Sequence, residues 1–320
     1  MKRRIIAIIM IILAVCAAFL PSCRKNEEEY LVSPEHRHTL VPFLQVYDER
    51  HTDYIDGECP FIDELIVGVK CDECGYSVPL EDEVWCDGEP LEYGDTSFTV
   101  HCGEYEIEVP VNVKQIWRIA FAGDSLTAGA GDRREMQYST FVKKALRKEV
   151  DIGNFGVSGI SVTGMGGSFN DPDMRYEKQQ VFADCVAFAP DILYIMLGTN
   201  DAMGWTEASP TFDEDYRALI GAFRENLPEC EIVLVTTPPT SDGNAFSVPN
   251  DVITSEVVPA EKKIADELGL TLLDANAIIG SREGGFDEVY LDGVHFGEAG
   301  VRYAADIFIG KTVELTGIEY

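Results

Sequence analysis

From Trp117 onward the chain alternates near-continuous apolar runs with stretches of helical period, and this limits its fold more than any other feature. The apolar runs cover residues 117–122, 192–197, 231–236 and 270–273. Between them, residues 139–150 show helical spacing through Phe141, Ala145 and Leu146. Tyr216, Leu219, Ile220 and Phe223 share one helical face, and 257–268 reads as a helix with Pro259 in its first turn. A strand with one wet face alternates apolar and polar residues, whereas a strand covered on both faces does not. The pattern therefore predicts an α/β domain whose parallel sheet is covered by helices on both sides.

Residues 41–114 follow another rule. Short extended segments at 65–69, 97–100 and 104–109 are separated by turn residues at Asp87-Gly88, Tyr93-Gly94-Asp95 and Cys102-Gly103. In the last segment Tyr105, Ile107 and Val109 fall on one face and three glutamates on the other. Short strands at such intervals predict a small all-β sandwich. Residues 94–113 resemble the closing hairpin of bacterial Ig-like domains. A length of 320 residues also suits two domains, read as 41–114 and 115–320.

The N-terminus reads as an export signal over residues 1–22. Lys2, Arg3 and Arg4 precede an apolar run from 5 to 20, shorter than the ~20 residues of a membrane span. Leu20-Pro21-Ser22-Cys23 resembles a bacterial lipobox, which implies lipid modification of Cys23. Residues 23–40 then form a polar tether, with His36 and His38 solvated. The expected location is the membrane or cell surface, reached only through the lipid anchor, with plain secretion as the alternative. A formal net charge of −31 disfavours nucleic acid, whose phosphates need Lys and Arg. Of nine cysteines, seven lie beyond Cys23. Cys71-Asp72-Glu73-Cys74 has the spacing of half a zinc site, but Cys86 and Cys102 do not supply a second pair. Disulfides or buried thiols are the expected reading, with no metal and no cofactor.

In parallel α/β folds, reactive groups gather beyond the carboxyl ends of the strands. After the first run stands Gly123-Asp124-Ser125-Leu126, after the second Gly198-Thr199-Asn200-Asp201, and near the C-terminus Asp292-Gly293-Val294-His295. Gly123 permits a sharp turn that sets Ser125 at a strand-to-helix junction. A serine hydroxyl needs a neighbouring base. Of five histidines only His295 falls within 115–320, and Asp292 is spaced to hold its ring. Asp124 is expected to support the loop.

These segments resemble, in order, blocks of the GDSL/SGNH hydrolases. Gly123 to Leu126 is similar to the first block, Asn154-Phe155-Gly156-Val157-Ser158-Gly159 to the second, Gly198 to Asp201 to the third and Asp292 to His295 to the fifth. The resemblance implies a flavodoxin-like three-layer sheet and a serine esterase acting through an acyl-enzyme. It implies Ser125 as nucleophile, Asp292 and His295 as its partners, and an oxyanion hole from Ser125, Gly159 and Asn200. Phe296 stands where the family often has proline, a change expected at the pocket rim. Residues 195–201, with Trp205 and 212–220, look like members grouped with carbohydrate O-acetylesterases. Acylated carbohydrate, or another small ester, is the implied substrate. A lysophospholipase-like acyl hydrolase and a non-catalytic surface glycan-binding protein are the alternatives.

Overall fold

The computed structural model describes residues 37–130, 136–166 and 169–318. The export signal at 1–22, the anchor Cys23, the tether as far as 36 and His36 lie outside them. The N-terminal region contains β1 (Leu40–Val46), β2 (Asp53–Ile55), β3 (Ile66–Cys71), β4 (Ser77–Pro79), β5 (Val84–Cys86), β6 (Ser97–Cys102), β7 (Tyr105–Pro110) and β8 (Asn112–Lys114). β1-β3-β4 and β5-β6-β7 are antiparallel three-stranded sheets. The period-two pattern explains β7: Val109 is buried, while Glu106 and Glu108 are exposed. Ser97 and Thr99 of β6 donate hydroxyl hydrogen bonds to Glu108 at 2.7 and 2.9 Å.

Contacts divide the chain into two compact units, and the division is not one cut at residue 114. Residues 60–88, 97–111 and the described residues up to Thr52 form one unit; 53–59, 89–96 and 112 onward belong with the α/β unit. The reason is the parallel pairing of β2 with β8, which draws 53–59 to the later chain.

The α/β unit contains β9 (Trp117–Gly123), α1 (Ser125–Ala128), α2 (Tyr138–Leu146), β10 (Val150–Gly156), β11 (Met165–Gly166), β12 (Phe169–Asn170), α3 (Gln180–Phe188), β13 (Ile192–Met196), α4 (Thr199–Met203), α5 (Phe212–Asn226), β14 (Glu231–Val235), α6 (Val258–Leu268), β15 (Thr271–Leu273) and α7 (Glu298–Thr316). Its five-stranded sheet has the order β10-β9-β13-β14-β15, all parallel. Alternate residues serve opposite cores. Ala120, Leu193, Ile195 and Leu234 pack with Tyr216, Phe223 and Ile264 on one side. Ile119, Phe121, Tyr194 and Val233 pack with Tyr138, Val142 and Phe308 on the other. Phe121 stacks on Tyr194 at 5.2 Å and meets Phe308 edge-on. Among the described residues no helix is long and apolar enough to cross a membrane.

Two elements depart from the sequence expectation. The helix read over 139–150 ends at Leu146, and Val150 already begins β10. This edge strand carries Asp151, Asn154 and two glycines, so it lacks the apolar run that marked its neighbours. The long α7 also escaped the periodicity reading. Its buried stripe includes Gly300, Ala304, Ala305 and Thr312, small or polar residues that blur an apolar signal.

Candidate active site

The sheet ends abruptly at Gly123 because Asp124 caps a new helix. Its Oδ1 accepts the Leu126 N–H at 2.9 Å, which leaves Ser125 as the first residue of α1. Burial pushes the Asp124 carboxyl up to about 6, against the pull of the Leu126 N–H and the Thr199 hydroxyl. The end of β10 lies directly against α1. A Cβ on Gly156 would stand 2.2 Å from the Ala128 nitrogen, so only glycine permits this approach. Asn154 reinforces it, donating to Thr127 O and Ser139 Oγ at 2.8 Å each.

Ser125 and His295, far apart in sequence, meet here. His295 Nε2 lies 2.9 Å from Ser125 Oγ, and His295 Nδ1 lies 2.8 Å from Asp292 Oδ2. Asp292 Oδ1 accepts the backbone N–H groups of Val294 and His295 at 3.0 and 2.7 Å. Partial burial works to raise the Asp292 carboxyl, but the His295 backbone and ring and the Val294 N–H outweigh it. The group is held below the ordinary carboxylate value and stays an anion facing the imidazole.

The loop after β14 braces this pair. The Ser241 and Ala245 N–H groups donate to Gly293 O and Asp292 O at 2.8 and 3.2 Å. The Phe246 ring meets the His295 ring edge-on, with centroids 4.9 Å apart. No sequence motif marks Phe246; its place beyond a strand's carboxyl end is the available signal.

The other side of the serine is built from the β10 and β13 loops. The Val157 N–H donates to Gly123 O at 3.0 Å. Gly159 has φ of 81°, the left-handed region that glycine enters without Cβ strain. Asn200 Nδ2 donates to Ile160 O at 2.8 Å, and an amide nitrogen carries a second N–H. Asp201 fixes the same loop by accepting the Val162 and Thr163 N–H groups at 3.0 Å and the Thr163 hydroxyl at 2.8 Å. Beneath lies Glu261 of α6, wholly buried, which accepts the Thr237 N–H and hydroxyl at 2.9 and 2.6 Å. Burial pushes Glu261 up to about 8. Glu261 was also missed, although a charge in line with the buried Val257, Ile264 and Ala265 was visible.

Two side chains sit differently from expectation. Phe296 is buried and stacks on Tyr290 at 5.7 Å. An apolar ring finds more stabilisation in the core than at a wet rim. His38 is exposed but is not simply solvated, because it stacks on Tyr76 at 4.8 Å.

The arrangement gives a hydroxyl with a base at hydrogen-bonding distance and a carboxylate that fixes the base's tautomer. The Asn200 amide is tied to Ile160 O, next to Gly159. Such a set suits acyl transfer.

The sequence model of the GDSL-like lipase/acylhydrolase family matches residues 121–303, more than half of the chain. An acetylxylan esterase of Xylanibacter ruminicola is 28% identical over 225 residues, covering 64% of this chain and 45% of that protein. The chain thus spans less than half the length of this curated relative. The solved structure of a carbohydrate acetylesterase family member from Sinorhizobium meliloti is 19% identical, with a TM-score of 0.50 over 63% of this chain and 99% of that one. A lipase/acylhydrolase from Enterococcus faecalis is 21% identical, with a TM-score of 0.49 over 64% of this chain and 99% of its own.

Proposed function

Because the chain belongs to the GDSL-like lipase/acylhydrolase family, we propose that it is a serine esterase that removes O-acetyl groups from carbohydrate. The observation that carries this reading is the unbroken chain Ser125–His295–Asp292, with contacts of 2.9 and 2.8 Å. Ser125 Oγ attacks the ester carbonyl while His295 Nε2 takes its proton. As the ester C–O bond breaks, the imidazolium protonates the departing sugar oxygen, and Asp292 stabilises the transient positive charge. Water, deprotonated by the same imidazole, releases acetate from the serine.

The negative oxygen of each tetrahedral intermediate is met by the Ser125 and Gly159 N–H groups and by the second N–H of Asn200. One such donor contributes about 3 kcal/mol. A hydrogen bond to Ile160 O already holds the Asn200 amide, so it need not reorient as charge develops. The choice of acetylated carbohydrate rests on similarity to the acetylxylan esterase. The basic-then-apolar leader and Cys23 support export and tethering at a membrane surface, where polymeric glycan would be met.

The test compares acetate release from acetylated xylan with fatty-acid release from lysophospholipid by the purified enzyme. Acetate from the xylan with little fatty acid is expected. Fatty-acid release alone would replace the substrate with a lipid, and no release from any ester would remove the esterase reading.

A further inference from the structure

A second cluster of reactive side chains lies in the N-terminal unit, outside the esterase site. Cys71 is the last residue of β3, and Cys74 follows in the turn that leads to β4. The turn is tight: Cys71 O accepts the Gly75 N–H at 2.8 Å, and the Cys71 N–H donates to Tyr76 O at 2.7 Å. β1 runs antiparallel to β3 with Leu40 opposite Cys71, so the chain just before β1 delivers His38 to the same corner. Tyr76 stacks on the imidazole, and its Nδ1 lies 3.3 Å from Cys74 Sγ. One ring nitrogen and the two sulfurs all lie within 4.8 Å of one another.

We propose that His38, Cys71 and Cys74 bind a thiophilic divalent cation, with zinc as the best match. Zinc–sulfur and zinc–nitrogen bonds of about 2.3 and 2.0–2.1 Å in a tetrahedron set sulfur and nitrogen about 3.6 Å apart. The observed 3.3 Å is close to that edge. Two thiolates and an imidazole select against magnesium and calcium, which take oxygen ligands. His38 and Cys74 are exposed while Cys71 is buried, so the fourth position faces solvent and takes water. Binding displaces protons from both thiols. The ion clips the lead-in of β1 to the β3–β4 hairpin. Sequence spacing hid the site because its third ligand comes from across a sheet rather than from a second cysteine pair.

The test uses the full chain, reduced and stripped of metal under anaerobic conditions, then titrated with Co²⁺. One equivalent should produce thiolate-to-cobalt charge-transfer and tetrahedral d–d absorption, both bleached by Zn²⁺, and Zn²⁺ should raise the melting temperature. Cys74→Ser and His38→Ala alter exposed side chains and should each weaken binding by more than about 100-fold. Cys230→Ser should leave it unchanged. Absence of these bands in the reduced wild type, or their persistence in both ligand variants, would overturn the proposal.

Discussion

The two units of this chain bury polar groups to very different extents. In the α/β unit, the carboxyls of Asp124, Asp201 and Glu261 are wholly buried and tied to backbone or hydroxyl donors around one corner of the sheet. In the antiparallel unit, strands are short and large apolar side chains such as Tyr47, Tyr76 and Trp85 stay exposed. Its cysteine and histidine cluster lies at the end of its central strand β3, with Cys71 buried and His38 and Cys74 exposed. The difference follows from thickness. A sheet covered on both faces can bury and satisfy polar groups, which then hold loops in one geometry. A thin pair of small sheets has little interior, and among its described residues His51, held between the Asp48 N–H and Asp63 O, is the polar side chain it buries.

The largest expected effect falls on the buried centre. Ser125→Ala should lower ester turnover about a millionfold with folding intact, measured as acetate release and melting temperature. Activity near wild type would leave the α/β corner as scaffold only. Next comes the core beneath it: Phe121→Ala should cost about 3–5 kcal/mol of stability in denaturant unfolding. Asn200→Ala should lower kcat by roughly 10²–10³ with little change in KM. An effect confined to KM would mean that the amide binds substrate without stabilising charge.

Glu261 tests burial by pH. Its folded value of about 8 lies above the ordinary carboxyl value of 4.5, so the folded protein keeps a proton that the unfolded chain releases. This contribution to stability is complete below 4.5 and is lost as pH rises through about 8. Glu261→Gln should flatten the decline in melting temperature across that window, and an unchanged slope would mean the group does not hold its proton. The smallest effect belongs to the exposed face. Trp85→Ala should cost about 1 kcal/mol or less, mostly its stacking on His101 at 4.0 Å. A loss as large as that of Phe121→Ala would erase the contrast between the units.

The sequence made the central strands legible because β9, β13 and β14 are apolar on both faces. It made the serine side of the site legible because Ser125 and Asn200 follow strand ends directly. β10 was not legible, since its polar and glycine residues serve the approach of Gly156 to α1 rather than a core. Glu261 and Phe246 carry only weak local signals, a charge on a buried helix face and a place beyond a strand's end. Each acts through a partner distant in sequence, Thr237 and His295 respectively, and no local spacing records that meeting. His38 was read as tether because nothing before β1 announces a register that sets it beside Cys74.

Ser125 is read as a live nucleophile activated by His295. Treating the enzyme with a fluorophosphonate and mapping the adduct by peptide mass should give one adduct, on Ser125, formed rapidly in the wild type and lost or greatly slowed in His295→Ala. An unlabelled wild type, or labelling that persists in Ser125→Ala, would contradict that reading.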